Sequence, residues 1–276
     1  MSATPHTLLE RFSPRFWGHG PRLVVLGHGI GTDQNAWRLQ RLALVEAGYR
    51  VLTFDFAGAT PETEASFSPH HHDTLYGFAE DLLVLLHHLE IEPAAYVGHS
   101  IGGMIGLLAC VAEPSRFERL VLLGASARYV DDPASAYQGG FTQEAVQQLL
   151  DAARTDYAKW ANGFAPAMVG EVNPHLSSAE FSRHLQTLRP DIVHTMLKAA
   201  FLSDHRAEVE RLSRPLYVLQ TSEDVAVPWS AAQWLAEHGR ARALIRLPTH
   251  GHLPHMTAPD SVNAALLTCL TGNADG

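Results

Sequence analysis

AYVGHSIGGMIGLLA, residues 95–109, is the stretch whose reading decides the fold. An apolar run from Ala95 to Val97 leads into Gly98-His99-Ser100-Ile101-Gly102, and a long apolar segment of helical character follows. A serine at a sharp strand-to-helix turn must take strained backbone angles, and glycine on either side gives it room. Its hydroxyl is thereby lifted above the sheet, and the helix N-terminus beneath it favours developing negative charge. Ser100 is the candidate nucleophile.

Outward from this turn, short apolar runs recur at Leu23 to Leu26, Val51 to Phe54, Leu120 to Leu123, Leu216 to Gln220 and Ala243 to Arg246, bounded by glycine, proline or polar residues. Continuous runs of this length read as strands buried on both faces. Their alternation with helical stretches predicts an α/β fold, with a mostly parallel central sheet flanked by helices. The alternation breaks at residues 137–203, where Val193, Met196, Leu197 and Ala200 share one helical face and Tyr157, Trp160 and Phe164 another. The expectation is an inserted four-helix lid over 137–203, on a core built from 1–136 and 204–276. Pro166, Gly170, Pro174 and Pro190 should punctuate its helices.

A serine hydroxyl is a weak nucleophile until a base takes its proton, and in this fold pattern the acid and the histidine follow the serine in that chain order. Asp224 follows the run Leu216 to Gln220, where a loop at the carboxyl end of the sheet would bring its carboxylate to the site. Asp224 is preferred because Val225-Ala226-Val227-Pro228 can turn away from the sheet; Glu223 stays open as its competitor. His252 lies in LPTHGHLPHM, after the last strand, with His250 and His255 as rivals. Gly251 lets the backbone pass close to the pocket and favours His252. The oxyanion of an acyl transfer needs two backbone N–H donors, one from the residue after the nucleophile and one from an earlier strand's loop. Ile101 supplies the first, and Ile30 in LGHGIG the second. A phosphate-binding reading of those glycines lacks both the GxGxxG pattern and a Walker lysine.

The composition is ordinary for a folded soluble protein. Hydrophobic residues make up 46% and charged residues 18% of the 276 residues, leaving little room for extended disorder. A net charge of -9 without a basic cluster argues against a nucleic-acid surface and an acidic membrane face. Cys110 and Cys269 sit in apolar runs and do not suggest a disulfide framework. MSATPHTLLERFSPRF has no signal-peptide pattern, and the cytoplasm is the expected compartment. No metal or cofactor is expected. His70-His71-His72 reads as a solvated loop, because three adjacent side chains cannot converge on one ion. Asp55 reads as a loop-shaping hydrogen-bond group, and Asp33 and Gln34 as braces of the Ile30 turn.

HGIGTDQNAW (His28 to Trp37), YVGHSIGGMIGLLA, LVLLGASARYVDD (Leu120 to Asp132), GGFTQE (from Gly139), AAFLSDHR (from Ala199) and GHLPHMTAP (from Gly251) together resemble one α/β-hydrolase group. It contains the bacterial stress-response regulator RsbQ and the plant receptors for strigolactones and karrikins. The likeness spans nearly the whole chain, and AAFLSDHR is most similar to RsbQ. It implies the α/β-hydrolase fold with a V-shaped four-helix lid over a mainly apolar pocket. The matching residues are Ser100, Asp224 and His252, with Ile30 and Ile101 as oxyanion donors, and this favours Asp224 over Glu223. Trp160, Phe164, Val193 and Ile30 match pocket-lining positions. Relatives often carry phenylalanine where this chain has Ile30, so their ligands do not transfer. The implied activity is hydrolysis of a small, largely apolar ester or lactone. The alternative is a ligand-sensing regulator with slow turnover that signals to a protein partner such as a stress-response phosphatase.

Overall fold

The computed structural model describes residues 11–170 and 178–272. The expected runs form strands β2 (Arg22–Gly27), β3 (Tyr49–Thr53), β4 (Ala94–His99), β5 (Phe117–Leu123), β6 (Leu216–Glu223) and β7 (Ala243–His250), after a three-residue β1 (Arg15–Trp17). They join in one sheet in the order β1-β3-β2-β4-β5-β6-β7. All neighbours are parallel except β1, which runs antiparallel along β3 with Arg15 opposite Thr53.

Both faces of the central strands are covered, which is why β4 and β5 read as continuous apolar runs, whereas β1 and β7 at the edges are half-buried or exposed over most of their length. Side chains alternate between the faces. Tyr96, Leu120 and Leu122 join the larger core cluster, and Val97, Val121 and Leu123 the smaller. Helix α1 (Arg38–Glu46) lies over the smaller cluster, whereas α2 (Leu75–His88) and α3 (Ile101–Ala112) fill the larger one. Between β5 and β6 the chain forms α4 (Gln143–Thr155), α5 (Tyr157–Val169), α6 (Ser178–Leu185) and α7 (Pro190–Phe201). The chain closes with α8 (Arg206–Glu210), α9 (Trp229–His238), α10 (Pro254–Thr257) and α11 (Pro259–Thr271).

The strand order locates the site. After β2 the chain crosses outward to β3, then returns to β2's other side as β4 and continues in that direction to β7. The order therefore reverses between β2 and β4, and ligands of open α/β sheets bind in the crevice beyond the carboxyl ends at such a point. The loop after β2 carries Ile30; the turn after β4 is Ser100.

Three of the four helices α4 to α7 begin where local chemistry permits. Thr142 accepts from the Ala145 N–H at 3.2 Å to cap α4, Asp156 accepts from Lys159 N–H at 3.0 Å to cap α5, and Pro190 opens α7. Pro166 departs from expectation: it lies inside α5 rather than at its end. The helix continues past it because Ala165, Met168 and Val169 are buried, and this packing outweighs the lost backbone bond. Gly170, at φ 78° and ψ -136°, ends α5; Pro174 lies outside the described residues. The chain before and after this helical stretch is clasped together: Arg128 and Asp204 form an antiparallel bridge, their side chains meet at 2.6 Å, and His205 N–H donates to the Ala127 carbonyl at 2.8 Å. Among the described residues no helix is long and apolar enough to cross a membrane.

Candidate active site

Strand β4 ends at His99 and α3 begins at Ile101, which leaves Ser100 in the turn at φ 53° and ψ -123°. Such a conformation costs a non-glycine residue about 1–3 kcal/mol and persists only where the surroundings impose it. Here Ser100 N–H donates to the Leu123 carbonyl of β5 at 2.9 Å, and the Ser100 carbonyl accepts from Gly103 N–H at 3.0 Å. The two motif glycines are required by close approach. A Cβ on Gly98 would stand 2.5 Å from the Gly102 carbonyl oxygen, and one on Gly102 would stand 2.2 Å from that of His28.

His252 Nε2 lies 2.9 Å from Ser100 Oγ, and His252 Nδ1 lies 2.8 Å from Asp224 Oδ2. A carboxylate accepts only, so Nδ1 carries the proton and Nε2 is left to accept from the serine hydroxyl. Asp224 is fixed from every side: Oδ1 accepts from the Ala226 and Val227 N–H groups at 2.8 and 3.2 Å, and Gln220 Nε2 donates to Oδ2 at 3.2 Å. Burial by itself would raise the Asp224 carboxyl, but the His252 ring beside it and the two backbone donors hold it below the usual carboxylate range. Glu223 points away, its side chain 77% exposed and 3.8 Å from the half-exposed His250. His255 is fully buried between Trp37 and His99, with ring centroids at 4.6 and 4.4 Å, and burial drives its imidazole down to about 3.

The two candidate oxyanion donors are aimed by the bonds of their own peptides. A trans peptide points its C=O and N–H in opposite directions. The Gly29 carbonyl accepts from Thr32 Oγ1 at 3.0 Å and contacts His28 Nδ1 at 2.9 Å, so the Ile30 N–H of that peptide faces the other way. His28 Nε2 accepts from Phe56 N–H at 3.0 Å, which puts its proton on Nδ1 for Gly29. The Ser100 carbonyl is taken up by the first turn of α3, so the Ile101 N–H points out of the helix end. Gln34 anchors the loop: its backbone and side chain donate to Asp55 at 2.8 and 2.7 Å, while Asp33 accepts from Asn35 N–H at 2.6 Å.

A cavity opens over Ser100, with Ile30, Ile101, Phe164, Met168, Phe181 and Leu197 in its wall. The centres of water-sized molecules have about 20 Å³ of room in it, enough for one water. Of the three pocket residues expected from sequence besides Ile30, Phe164 lines this cavity. Trp160 instead stacks between Tyr157 and Phe164, at 5.3 and 4.7 Å, and lines a separate groove between α4 and α5; Val193, 1% exposed, packs inside the core. Sequence reading missed Tyr129, Phe181 and Met168. Tyr129 turns its hydroxyl to Ser100, and burial raises its phenol. Its GASARYVDD context after β5 was the available signal.

The triple histidine is not a uniformly solvated loop. His70 is exposed, but His72 is fully buried and bonded to Asp81 at 3.0 Å, while its Nδ1 accepts from Ser68 N–H at 2.9 Å. His71 and Arg11 reach the same carboxylate at 3.2 and 3.1 Å. The His72 nitrogen facing Asp81 carries a proton, and the cluster staples the loop to α2; the ligand-type atoms of His71, His72 and Asp81 lie within 4.8 Å of one another, so the three side chains do converge.

A carboxylate, an imidazole and a serine hydroxyl in a buried hydrogen-bonded row, at a parallel sheet's switch point, define the serine-hydrolase class of α/β proteins. A profile of the alpha/beta hydrolase family matches residues 24–265, and the chain belongs to that family and is a hydrolase. It is 39% identical to a probable esterase of Oryza sativa subsp. japonica, over 94% of this chain and 95% of the relative. It is 36% identical to karrikin insensitive 2 receptor IA of Petunia hybrida, over 95% of each. A solved hydrolase from Oleispira antarctica superimposes with a TM-score of 0.91 at 28% identity, covering 96% of this chain and 97% of that one.

Proposed function

We propose that the protein hydrolyses small, largely apolar carboxylic esters or lactones through Ser100, His252 and Asp224. The observation that carries this reading is the unbroken row from Asp224 through His252 to Ser100, at 2.8 and 2.9 Å, opening onto an apolar cavity. Ser100 Oγ attacks the carbonyl carbon while His252 Nε2 takes its proton, and Asp224 stabilises the resulting imidazolium. The carbonyl oxygen becomes an oxyanion held by the Ile30 and Ile101 amides. Collapse breaks the bond to the alkoxy oxygen, which leaves with the proton from His252. Water then repeats the sequence on the acyl-enzyme and returns Ser100. No metal or cofactor has a part in these steps.

In this reading residues 137–203 form a lid on the core of 1–136 and 204–276, and the cytoplasm is the compartment. Ser100→Ala should lower hydrolysis of p-nitrophenyl acetate on the order of 10³-fold or more. Wild-type turnover in that variant would refute the assignment.

The relative named as a karrikin receptor favours a second reading, in which the same chemistry runs slowly and the ligand-bound lid surface is presented to a regulatory protein partner. Turnover of many molecules per second on a defined metabolite supports the enzyme. Slow turnover with ligand-dependent capture of a partner supports the sensor.

A further inference from the structure

The backbone of the general base is tied to the insertion. His252 N–H donates to the Met168 carbonyl in the last turn of α5 at 2.7 Å. Helix ends leave carbonyls without intrahelical partners, and the stop at Gly170 makes one available. The fit is close on both sides. A Cβ on Gly251 would stand 2.5 Å from the Val169 carbonyl oxygen, and one on Gly170 would stand 3.3 Å from Gly251 Cα. Both glycines have positive φ, 78° for Gly170 and 88° for Gly251, so neither position accepts a side chain without strain.

The other holds on this loop come from the core. His99 Nε2 is bonded to the His252 carbonyl at 2.7 Å, Gly251 N–H donates to the Glu223 carbonyl at 2.9 Å, and Thr221 Oγ1 donates to the Gly251 carbonyl at 3.1 Å. The hold on the His252 N–H is on the side of the insertion, although Ser100 and Asp224 are both set by the core. Met168 also lines the cavity, so whatever occupies that space presses on the residue whose carbonyl holds the base.

We propose that the last turn of α5, through the Met168 carbonyl and the Gly170 stop, is a positioning element for His252: the base is aligned on Ser100 when the insertion is seated and loses alignment when it lifts. The proposal rests on the assignment of Ser100 and His252 above. Its reach is wider, because alignment of the base and seating of the insertion become two readouts of one equilibrium, and a ligand that shifts either shifts the other.

The test uses Gly170→Ala, Gly251→Ala and the double variant in the full chain, with p-nitrophenyl acetate as substrate and Ser100→Ala as the control for the nucleophile. A displacement near 1 Å costs on the order of 10²-fold in rate. Each single variant should lose kcat on that order with KM little changed, and the double variant should lose about as much as the worse single one, because both break one contact. Multiplying losses, or a wild-type kcat in Gly170→Ala, would overturn the proposal while a dead Ser100→Ala left the nucleophile in place. An active Ser100→Ala would remove the assignment beneath it. Should the glycine variants not fold, native-state hydrogen exchange on the wild type decides: the His252 and Gly170 amides should open together. A His252 amide that stays protected while Gly170 exchanges would overturn the tether.

Discussion

Replacing Asp224 by Asn is the sharpest perturbation of the proposed chemistry, because it keeps the shape of the side chain while removing its charge and the acceptor at Oδ2, which also ends the bond from Gln220 Nε2. Asp224 Oδ1 accepts two backbone N–H groups, and an asparagine carbonyl oxygen can keep both. The amide nitrogen then stands where Oδ2 accepts from His252 Nδ1 at 2.8 Å. An NH₂ group there cannot accept, so the imidazole must flip to the tautomer with its proton on Nε2, facing Ser100. A base holding the wrong proton loses on the order of 10⁴-fold in kcat, or about 5 kcal/mol of transition-state stabilisation. The assay is steady-state hydrolysis of p-nitrophenyl acetate, with thermal unfolding alongside to show that the fold is intact. Glu223→Gln is the paired control: its side chain is 77% exposed, and activity should stay within about twofold, as for surface changes remote from chemistry. Asp224→Asn at a tenth of wild-type activity or better would refute the reasoning, as would an equal loss in Glu223→Gln.

Three further outcomes are expected. His255 is held neutral down to about 3, against an ordinary value of 6.5, so between those pH values the unfolded chain binds a proton that the folded protein refuses and stability falls as pH falls. At pH 5 that group costs about 2 kcal/mol, and His255→Phe should narrow the difference in melting temperature between pH 7 and pH 5 by several degrees; an unchanged difference refutes the argument. Gly102→Ala forces a Cβ to 2.2 Å from the His28 carbonyl oxygen and should destabilise by about 1–3 kcal/mol, measured by urea unfolding, with loss of activity. Phe164→Ala should widen a cavity with about 20 Å³ of room and raise kcat/KM for p-nitrophenyl hexanoate relative to the acetate; an unchanged ratio would place the acyl chain elsewhere.

Much of this was legible in the chain because strands buried on both faces must be apolar without interruption; six apolar runs became six parallel strands, although β7, at the sheet's edge, is mostly half-buried or exposed. β1 was not legible: RFW has no run, and its strand character comes from pairing with β3. Asp224 and Glu223 were nearly tied as residues, and what separates them is direction, one carboxylate turned into the sheet's edge and the other into solvent. The pocket was the least legible part. Trp160 and Phe164 share a helical face and both line the outer groove, yet only Phe164, one turn farther along, also reaches the cavity. The burial of His72 depends on Asp81, nine positions downstream on another element, which local composition does not announce.

The clasp between Arg128 and Asp204 bears on how such a protein changes its ligand over time. A segment that departs and returns through one closed gate can be exchanged or lengthened without rethreading the sheet, provided that its replacement still offers the carbonyl that the His252 N–H takes from Met168.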